Sequence, residues 1–306
     1  MTSERLDLST DLAASGAPAL ADDGSDLVIV RKATPLTGIV SWYPRLKERR
    51  RIWMAIRGFR EVLLIAGVYS MYDLTRFLVE GKSSVAFAHG RSILHFEKAI
   101  GIAPEHWLNK LFSAHLALGL SADYIYASLH YIVTPVVLVW MWRRHGAAYS
   151  SARSVLMIAT ILGLVGFSLL PVAPPRLLPA YIDTMAKLSH YGWWSNAASA
   201  PRGLGADTNQ YAALPSLHVG WALWCGWQMV RYGRHRLTQV LGLLYPVVLS
   251  IVVMATANHY LVDVLAGYAT LLVAFAIVRL LTRAGLVLPP GGEAPDLPAG
   301  AEPASA

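Results

Sequence analysis

The chain of 306 residues is 55% hydrophobic and only 15% charged, with a mean hydropathy of +0.44. This balance excludes an ordinary water-soluble domain and indicates a polytopic membrane protein. The net charge of +7 does not indicate nucleic-acid binding, because the arginines stand in short clusters beside apolar segments, where they report membrane orientation. The single cysteine, Cys225, excludes a disulfide framework within the chain.

The two ends of the chain have the composition of unfolded polypeptide. Residues 1–30 contain six acids and a single basic residue, and they lack the basic start and apolar core of a secretory signal. Residues 286–306 are rich in proline, glycine and alanine. We therefore predict disordered tails at 1–30 and 286–306, which flank a basic cytoplasmic segment at 31–60 and a membrane domain at 61–285.

Apolar stretches of about twenty residues, the length that crosses a bilayer as a helix, occur six times between these tails. The first is the weakest, because Asp73 and Arg76 interrupt it. We predict an all-α fold, a polytopic membrane bundle of six transmembrane helices. The predicted spans are 62–79, 121–142, 153–172, 214–230, 237–257 and 261–281.

The basic residues predict the orientation of these spans. Residues 31–60 contain nine Lys or Arg, and further basic clusters follow the second, fourth and sixth spans, so all four fall on one side. Both termini are therefore expected in the cytoplasm. On the opposite side, residues 80–120 have an amphipathic pattern that predicts a helix on the membrane surface. Residues 173–213 hold four prolines, as is typical of an interfacial loop.

Three polar groups meet on the outer side of this topology. Arg176 follows the third span, Ser216 and His218 begin the fourth, and His259 and Asp263 stand where the fifth meets the sixth. About forty residues separate successive groups along the chain. The topology nevertheless returns all of them to one depth, which predicts a single polar site.

The residue types in this site suit phosphoryl transfer. His259 and Asp263 are four residues apart and share one helical face, where a carboxylate can fix the tautomer of the imidazole. Helix starts bind phosphate through unpaired N–H groups, and we expect Ser216 or Pro215 to begin the fourth span and Asn258 to cap the sixth. Arg176 adds a planar fork suited to two phosphate oxygens.

Simpler interpretations compete with this one. A lone histidine at a helix end is usually a hydrogen-bonded surface group, and Arg176 alone could anchor the chain near lipid headgroups. Asp263 is harder to dismiss, because an acid within a span requires a partner, and His259 is the nearest one. His130 lies inside the second span, where it either lines the substrate site or makes a buried structural hydrogen bond.

Proteins of other classes also use histidines at one depth. A membrane cytochrome could hold haem between His218 and His259, and a haem absorption band would reveal it. The set of His218, His259 and Asp263 is acceptable for zinc, and full activity in a chelator would exclude that site. The spans lack the paired mid-membrane breaks that are typical of transporters.

The stretch "PSLH" at 215–218 and the pair His259 and Asp263 resemble motifs of the type-2 phosphatidic acid phosphatase superfamily, a six-helix membrane fold. The usual pattern has a Lys followed seven residues later by Arg-Pro, then Pro-Ser-Gly-His, then Ser-Arg followed by a His and an Asp four apart. The resemblance covers roughly residues 111–281, and its specificity lies in the pair of motifs.

The chain departs from that pattern at two cation positions. Arg176 stands in the first motif, but Leu169 occupies the lysine position, and Val252 and Val253 occupy the Ser-Arg positions. With leucine in "PSLH", these departures resemble the branch of inositol phosphorylceramide synthases and their bacterial relatives. "ALPSLHVGWAL" and "NHYLVDVLAG" are similar in style to that branch.

The resemblance implies a function for each residue. His259 would be the nucleophile that takes the phosphoryl group, Asp263 its orienting partner and His218 the acid that protonates the leaving oxygen. Arg176 would help to hold the phosphate, and Ser216 and His130 are further candidate substrate-binding residues. The family uses no metal, and we expect no cofactor.

The resulting expectation is an integral protein of a bacterial cell membrane, with its active site on the extracytoplasmic side and a lipid phosphate as substrate. The branch favours transfer of a phosphate-bearing headgroup, such as inositol phosphate, to a lipid or polyol hydroxyl. Hydrolysis of phosphatidic acid or of a polyprenyl phosphate or diphosphate is the alternative, because it differs only in that water attacks the phosphohistidine.

Overall fold

The computed structural model describes residues 83–194 and 210–286, together with Gly58, Phe59, Glu61, Leu63, Gly67 and Ser70. The chain divides into two compact units, Met1–Phe59 and Arg60–Ala306. Nearly all described residues belong to the second unit. Both predicted tails, almost all of the basic segment and most of the first predicted span (62–79) lie outside the described residues.

The described part of the second unit is helical and contains no β-strand; one isolated parallel bridge joins Val172 to Ala212. This confirms the helical class predicted from the sequence. Its eight α-helices are α1 (Ser83–Ala99), α2 (Pro104–Ala114), α3 (Leu116–Arg144), α4 (Gly146–Leu169), α5 (Thr184–Lys187), α6 (Leu217–Tyr232), α7 (Arg236–Ala255) and α8 (Leu261–Arg283), with 3-10 turns at Pro175–Leu177 and Ser189–Tyr191.

Four of these helices, α3, α4, α7 and α8, are long and apolar enough to cross a membrane, which indicates an integral membrane protein. They correspond to the second, third, fifth and sixth predicted spans. The fourth predicted span corresponds to α6, whose 16 residues extend about 24 Å, less than the roughly 30 Å hydrocarbon core. The described residues therefore contain four of the six predicted spans as helices of spanning length.

The short helix α6 lies at the centre and packs against α3, α4, α7 and α8. Its fully buried Trp224 donates an indole N–H to the Ala152 carbonyl of α4 at 2.8 Å, so the large ring brings no unpaired polar atom into the core. Gly226 lets α7 approach closely, because a Cβ at that position would lie 2.3 Å from the Gly242 carbonyl oxygen. The N-terminus of α6, which carries the predicted site residues, is thereby held within the bundle.

Residues 80–120 differ from the predicted surface helix. The described part of this segment, from residue 83, forms α1, α2 and the start of α3. Helices α1 and α2 each bury one acid completely: Glu97 near the end of α1 and Glu105 in the first turn of α2. Exposed apolar side chains, Phe96 and Trp107 among them, lie on the other side of these helices. The helices are therefore amphipathic as predicted, but their buried faces carry acids: Glu97 accepts a backbone N–H from the start of α8, and Glu105 accepts the Tyr181 hydroxyl.

Candidate active site

The N-terminus of α8 holds the predicted histidine–carboxylate pair. Asp263 lies in the first helical turn, where its Oδ2 accepts the Tyr260 backbone N–H at 2.9 Å. The same oxygen lies 3.4 Å from Nδ1 of His259, and both side chains are buried. The helix is capped at Tyr260, so the prediction that Asn258 caps it was wrong. Asp263 thus orients the turn and the imidazole together.

A second acceptor fixes the tautomer of His259. Nδ1 lies 2.9 Å from the carbonyl oxygen of Ala213, closer than it lies to Asp263. A carbonyl oxygen can only accept, so Nδ1 carries the hydrogen and the lone pair of the neutral ring is on Nε2. The role of Ala213 could not be predicted from the sequence, because every residue has a backbone carbonyl, whatever its side chain. The imidazole is consequently held with Nε2 directed away from both acceptors.

His218 lies beside His259 in the first turn of α6. The ring centroids of the two histidines are 6.0 Å apart, and the ring planes meet at 61°. Tyr126 stacks on His218 at 4.6 Å, and His130 contacts it edge-on at 4.3 Å, both from α3. The structure therefore places His130 at the site. Sequence reasoning missed Tyr126, although its spacing of four residues from His130 puts both side chains on one face of α3.

The N-termini of α6 and α8 meet at Ser216. This residue occupies the N-cap position of α6, and its backbone N–H donates to the Asp263 carbonyl at 3.0 Å. Gly267 makes the approach possible, because a Cβ there would lie 2.4 Å from the Ser216 carbonyl oxygen. The Ser216 hydroxyl is buried and has no hydrogen-bond partner among the described residues. The start of α6 thus offers backbone N–H groups and a hydroxyl to an anion.

Arg176 is joined to the site through Asn258, the residue before His259. Its Nε donates to Oδ1 of Asn258 at 3.0 Å, and Nη1 donates to Oδ2 of Asp183 at 3.3 Å. The side chain is only 5% exposed, so the alternative of a headgroup anchor on the surface was wrong. These two bonds use two of the five guanidinium N–H groups, which leaves donors for a phosphate. Sequence reasoning missed Asp183 and assigned Asn258 a different task.

A strained turn supports this arrangement. The Arg176 backbone N–H donates to the Ala257 carbonyl at 2.7 Å, and Ala257 has a φ of 55°, in the left-handed region that a non-glycine residue rarely adopts. The turn between α7 and α8 is therefore shaped so that Asn258 and His259 face Arg176 and Ala213. Strain of this kind is frequent at functional sites.

Helix α1 fixes the segment that leads to Arg176. The Ala173 N–H donates to the Ala86 carbonyl at 3.0 Å, and the Tyr260 hydroxyl donates to the Ala173 carbonyl at 3.0 Å. Gly90 is required here, because a Cβ would lie 2.6 Å from the Ala173 carbonyl oxygen. The backbone before Arg176 is thus tied to α1 and to the N-cap residue of α8.

In the described part of the chain, no cation replaces the two that the resembled pattern would place near the phosphate. Leu169 is 72% exposed at the end of α4, and Val252 and Val253 are buried in α7. Within ranges 83–194 and 210–286 and the isolated described positions, no group of three or more His, Cys, Asp or Glu could hold a metal ion. Among the described residues of this cluster, Arg176 is the charged donor to an anion.

The bundle and its site define a helical integral membrane protein with a polar centre at its helix ends. All six predicted residues belong to this centre: His218, His259, Asp263, Ser216 and His130 pack together, and Arg176 joins them through Asn258. The family model of the PAP2 superfamily matches residues 91–277. This range is more than half of the chain and includes all six residues. The chain therefore belongs to that superfamily.

Members of the PAP2 superfamily are phosphatases or phosphotransferases that act on phosphate esters, which is consistent with an enzyme of that kind. Comparisons with curated proteins and with solved structures gave no match.

Proposed function

We propose that this protein is a membrane lipid phosphotransferase that works through a phosphohistidine at the extracytoplasmic face. It would move a phosphate-bearing headgroup, such as inositol phosphate, onto a lipid or polyol hydroxyl. The observation that carries the proposal is the geometry of His259, whose Nδ1 is held by Ala213 and Asp263 while Nε2 keeps its lone pair. An imidazole fixed in this way is an oriented nucleophile.

In the first half of the reaction, Nε2 of His259 attacks the phosphorus atom of the donor lipid. The P–N bond forms as the bond between phosphorus and the leaving oxygen breaks. His218, whose ring lies beside that of His259, would give its proton to the leaving oxygen, so that the lipid alcohol departs neutral. Asp263 stabilises the positive charge that develops on the His259 ring.

In the second half, the hydroxyl of the acceptor attacks the phosphohistidine. The new P–O bond forms as the P–N bond breaks, and the neutral His218 takes the hydroxyl proton and is ready for another cycle. When water attacks instead, the product is a free phosphate ester or inorganic phosphate. The alternative, a lipid phosphate phosphatase, shares the first half-reaction and differs only in this step.

The phosphate would be held by three groups that the fold brings together. The remaining N–H groups of Arg176 supply positive charge, and the start of α6 supplies backbone N–H groups and the Ser216 hydroxyl. With Arg176 as the cation that the described residues supply, this part of the site offers less positive charge than the usual pattern. A phosphodiester donor carries less negative charge than a phosphomonoester, and this favours headgroup transfer over monoester hydrolysis.

The face of α3 that carries Tyr126 and His130 completes the site. Tyr126 stacks on His218 and His130 contacts its edge, so the two side chains restrict the rotation of the His218 ring. We assign His130 a position at the substrate-binding wall. A His218 ring that cannot swing away presents its proton to the same point in every cycle.

The test is a panel of lipid phosphates and phosphatidylinositol offered to the purified protein, with and without a hydroxyl acceptor. A new phosphodiester lipid that appears only with the acceptor supports the transferase. Free phosphate without dependence on the acceptor supports the phosphatase instead. If neither product forms, or if His259→Ala retains the wild-type rate, phosphohistidine chemistry at this site is excluded.

A further inference from the structure

Two buried carboxyl groups lie behind the N-terminus of α8, outside the groups that the mechanism uses. Glu97 comes from α1 and Glu105 from α2, and both side chains are completely shielded from solvent. The α1–α2 turn between them is closed by a bond from the Ile102 N–H to the Glu97 carbonyl at 2.9 Å. Buried acids are costly unless they are paired, so their presence calls for an explanation.

Glu97 binds the helix that carries Asp263. Its Oε1 accepts the backbone N–H of Val262 at 2.7 Å, in the first turn of α8. Asp263 accepts the Tyr260 N–H at the same helix end, so two carboxyl groups satisfy two of its unpaired donors. Because Val262 directly precedes Asp263, the Glu97 contact fixes the backbone that positions the Asp263 carboxylate against His259.

Glu105 pairs with Glu97. The Tyr181 hydroxyl donates to Oε1 of Glu105 at 3.0 Å. Glu105 is near enough to Glu97 to raise the pKa of Glu97, through its charge and through a hydrogen bond between the two carboxyl groups. Oε2 of each acid is buried and receives no N–H or O–H donor from the described residues. Two ionised carboxylates contain only acceptors, so a hydrogen bond between them requires a proton on one.

The surroundings of Glu97 and Glu105 favour the protonated form of the pair. Burial, with smaller contributions from the charges of Glu105 and Asp263, raises the pKa of Glu97 to about 8, although the bond from the Val262 N–H opposes the shift. The other titratable groups that face the pair are the hydroxyls of Tyr181 and Tyr260. Burial and the Glu105 carboxylate raise the pKa of Tyr181, which keeps it a hydrogen-bond donor. No cation among the described residues offsets the acids.

We propose that Glu97 and Glu105 share one proton and act as positioning residues for Asp263 and His259, so that loss of this proton in alkaline solution lowers turnover. With both acids ionised, their repulsion would displace Glu97 from Val262 and free the first turn of α8. The part of this inference that concerns turnover rests on the proposed phosphoryl transfer. The shared proton itself does not, and it can be tested without an activity.

Glu97→Gln is the informative variant. Its side-chain oxygen can accept the Val262 N–H, while its amide donates to Glu105, so it imitates the protonated acid at every pH. We expect the ratio of kcat for Glu97→Gln to kcat for the wild type to be near one at neutral pH and to rise above pH 8. Other ionisations in the active site cancel in this ratio. A merely structural contact would give a ratio independent of pH.

Glu97→Ala removes both bonds, and we expect kcat to fall by roughly ten- to a hundredfold, since small displacements of catalytic groups have effects of this size. KM should change less, because Glu97 does not contact the phosphate site. Glu61→Gln is the matched control, since Glu61 pairs with Arg153 and Tyr149 near the opposite end of α4. It should leave the kcat profile unchanged.

Thermal unfolding tests the proton independently of catalysis. The folded-state pKa of Glu97 is about 8 and its ordinary value is 4.5, so its contribution to stability is complete below pH 4.5, declines as the pH rises and is lost above about pH 8. The Tm of the wild type should therefore fall more steeply than that of Glu97→Gln over this interval. An infrared band of a protonated carboxyl at neutral pH should disappear in Glu97→Gln.

The outcomes separate the two hypotheses. A pH-independent kcat ratio, or parallel Tm profiles with an unchanged carboxyl band, would overturn the inference. If the wild type transfers no phosphate to any acceptor or to water, the proposed function fails, while the Tm profile and the infrared band still decide the shared proton. If Glu97→Ala does not fold, Glu97→Gln alone supplies both measurements.

Discussion

The guanidinium Nε of Arg176 donates to Oδ1 of Asn258 at 3.0 Å, and this bond joins the segment after α4 to the residue that precedes His259. The two side chains are 82 residues apart in the chain and both are buried. The candidate phosphate-binding cation is therefore aimed by the same short turn that presents the candidate nucleophile. A change in that turn should affect binding and chemistry together.

Asn258→Ala should raise KM for the phosphate substrate by about tenfold, because a hydrogen bond to a charged group contributes roughly 1.5–3 kcal/mol and Arg176 would lose one of its two side-chain acceptors. Steady-state kinetics with a lipid phosphate would measure this. Asn258→Asp keeps an acceptor oxygen and should restore most of the affinity. Equal KM values for wild type and Asn258→Ala would show that Asn258 does not position Arg176 for substrate.

His218→Ala should reduce turnover according to the leaving group. With a lipid phosphate, whose alkoxide needs a proton, we expect a loss of roughly 10²–10⁴-fold, the usual contribution of general acid catalysis. With an aryl phosphate such as p-nitrophenyl phosphate, the phenolate leaves without a proton and the loss should be much smaller. His259→Ala should abolish both reactions, and Cys225→Ser should abolish neither. An equal loss with both substrates would contradict the acid role of His218.

Asp263→Asn should distinguish the two acceptors that hold His259. An asparagine oxygen can still accept the Tyr260 N–H, so the cap is kept while the negative charge beside Nδ1 is removed. We expect kcat to fall by roughly 10²–10⁴-fold, as for the acid of a catalytic triad, with a Tm close to that of the wild type. A nearly unchanged kcat would mean that the Ala213 carbonyl alone orients the imidazole.

Gly267→Ala should separate the starts of α6 and α8. The new Cβ would lie 2.4 Å from the Ser216 carbonyl oxygen, and both atoms belong to packed backbone that cannot yield without moving a helix. We expect a loss of stability of about 1–3 kcal/mol, measured by thermal or denaturant unfolding, and a loss of turnover. Gly146→Ala is the control, because no atom lies within 4 Å of its added Cβ. Equal stability of the two variants would show that α6 and α8 do not pack this closely.

The helices and the identity of the main polar residues could be predicted from the sequence because both leave local signals. An apolar run of spanning length predicts α7 and α8 without reference to any neighbour, and boundaries differ by only one or two residues there. His259 and Asp263 stand four apart, so their proximity follows from helical geometry alone. The basic clusters then predicted the orientation of the spans, which places motifs that are distant in the chain on the same side of the membrane.

The acceptors and supports of the site could not be predicted in this way. Ala213 acts through a backbone oxygen, which any residue supplies, and Asn258 looked like a helix cap because its own segment gives no sign of Arg176. Glu97 and Glu105 have the spacing of surface residues on amphipathic helices. They are buried by α8 and Tyr181, which lie more than seventy residues away along the chain.

The sequence by itself determined the membrane class, the run of apolar helices and the residues to which we assign attack, protonation and binding of a phosphate, since these depend on composition and short spacing. The tertiary structure alone decided which nitrogen of His259 stays free, how Arg176 is aimed, and that two acids lie buried against the start of α8. Such properties depend on contacts between residues that are far apart in the chain. No local sequence pattern predicts the hydrogen bonds between such residues.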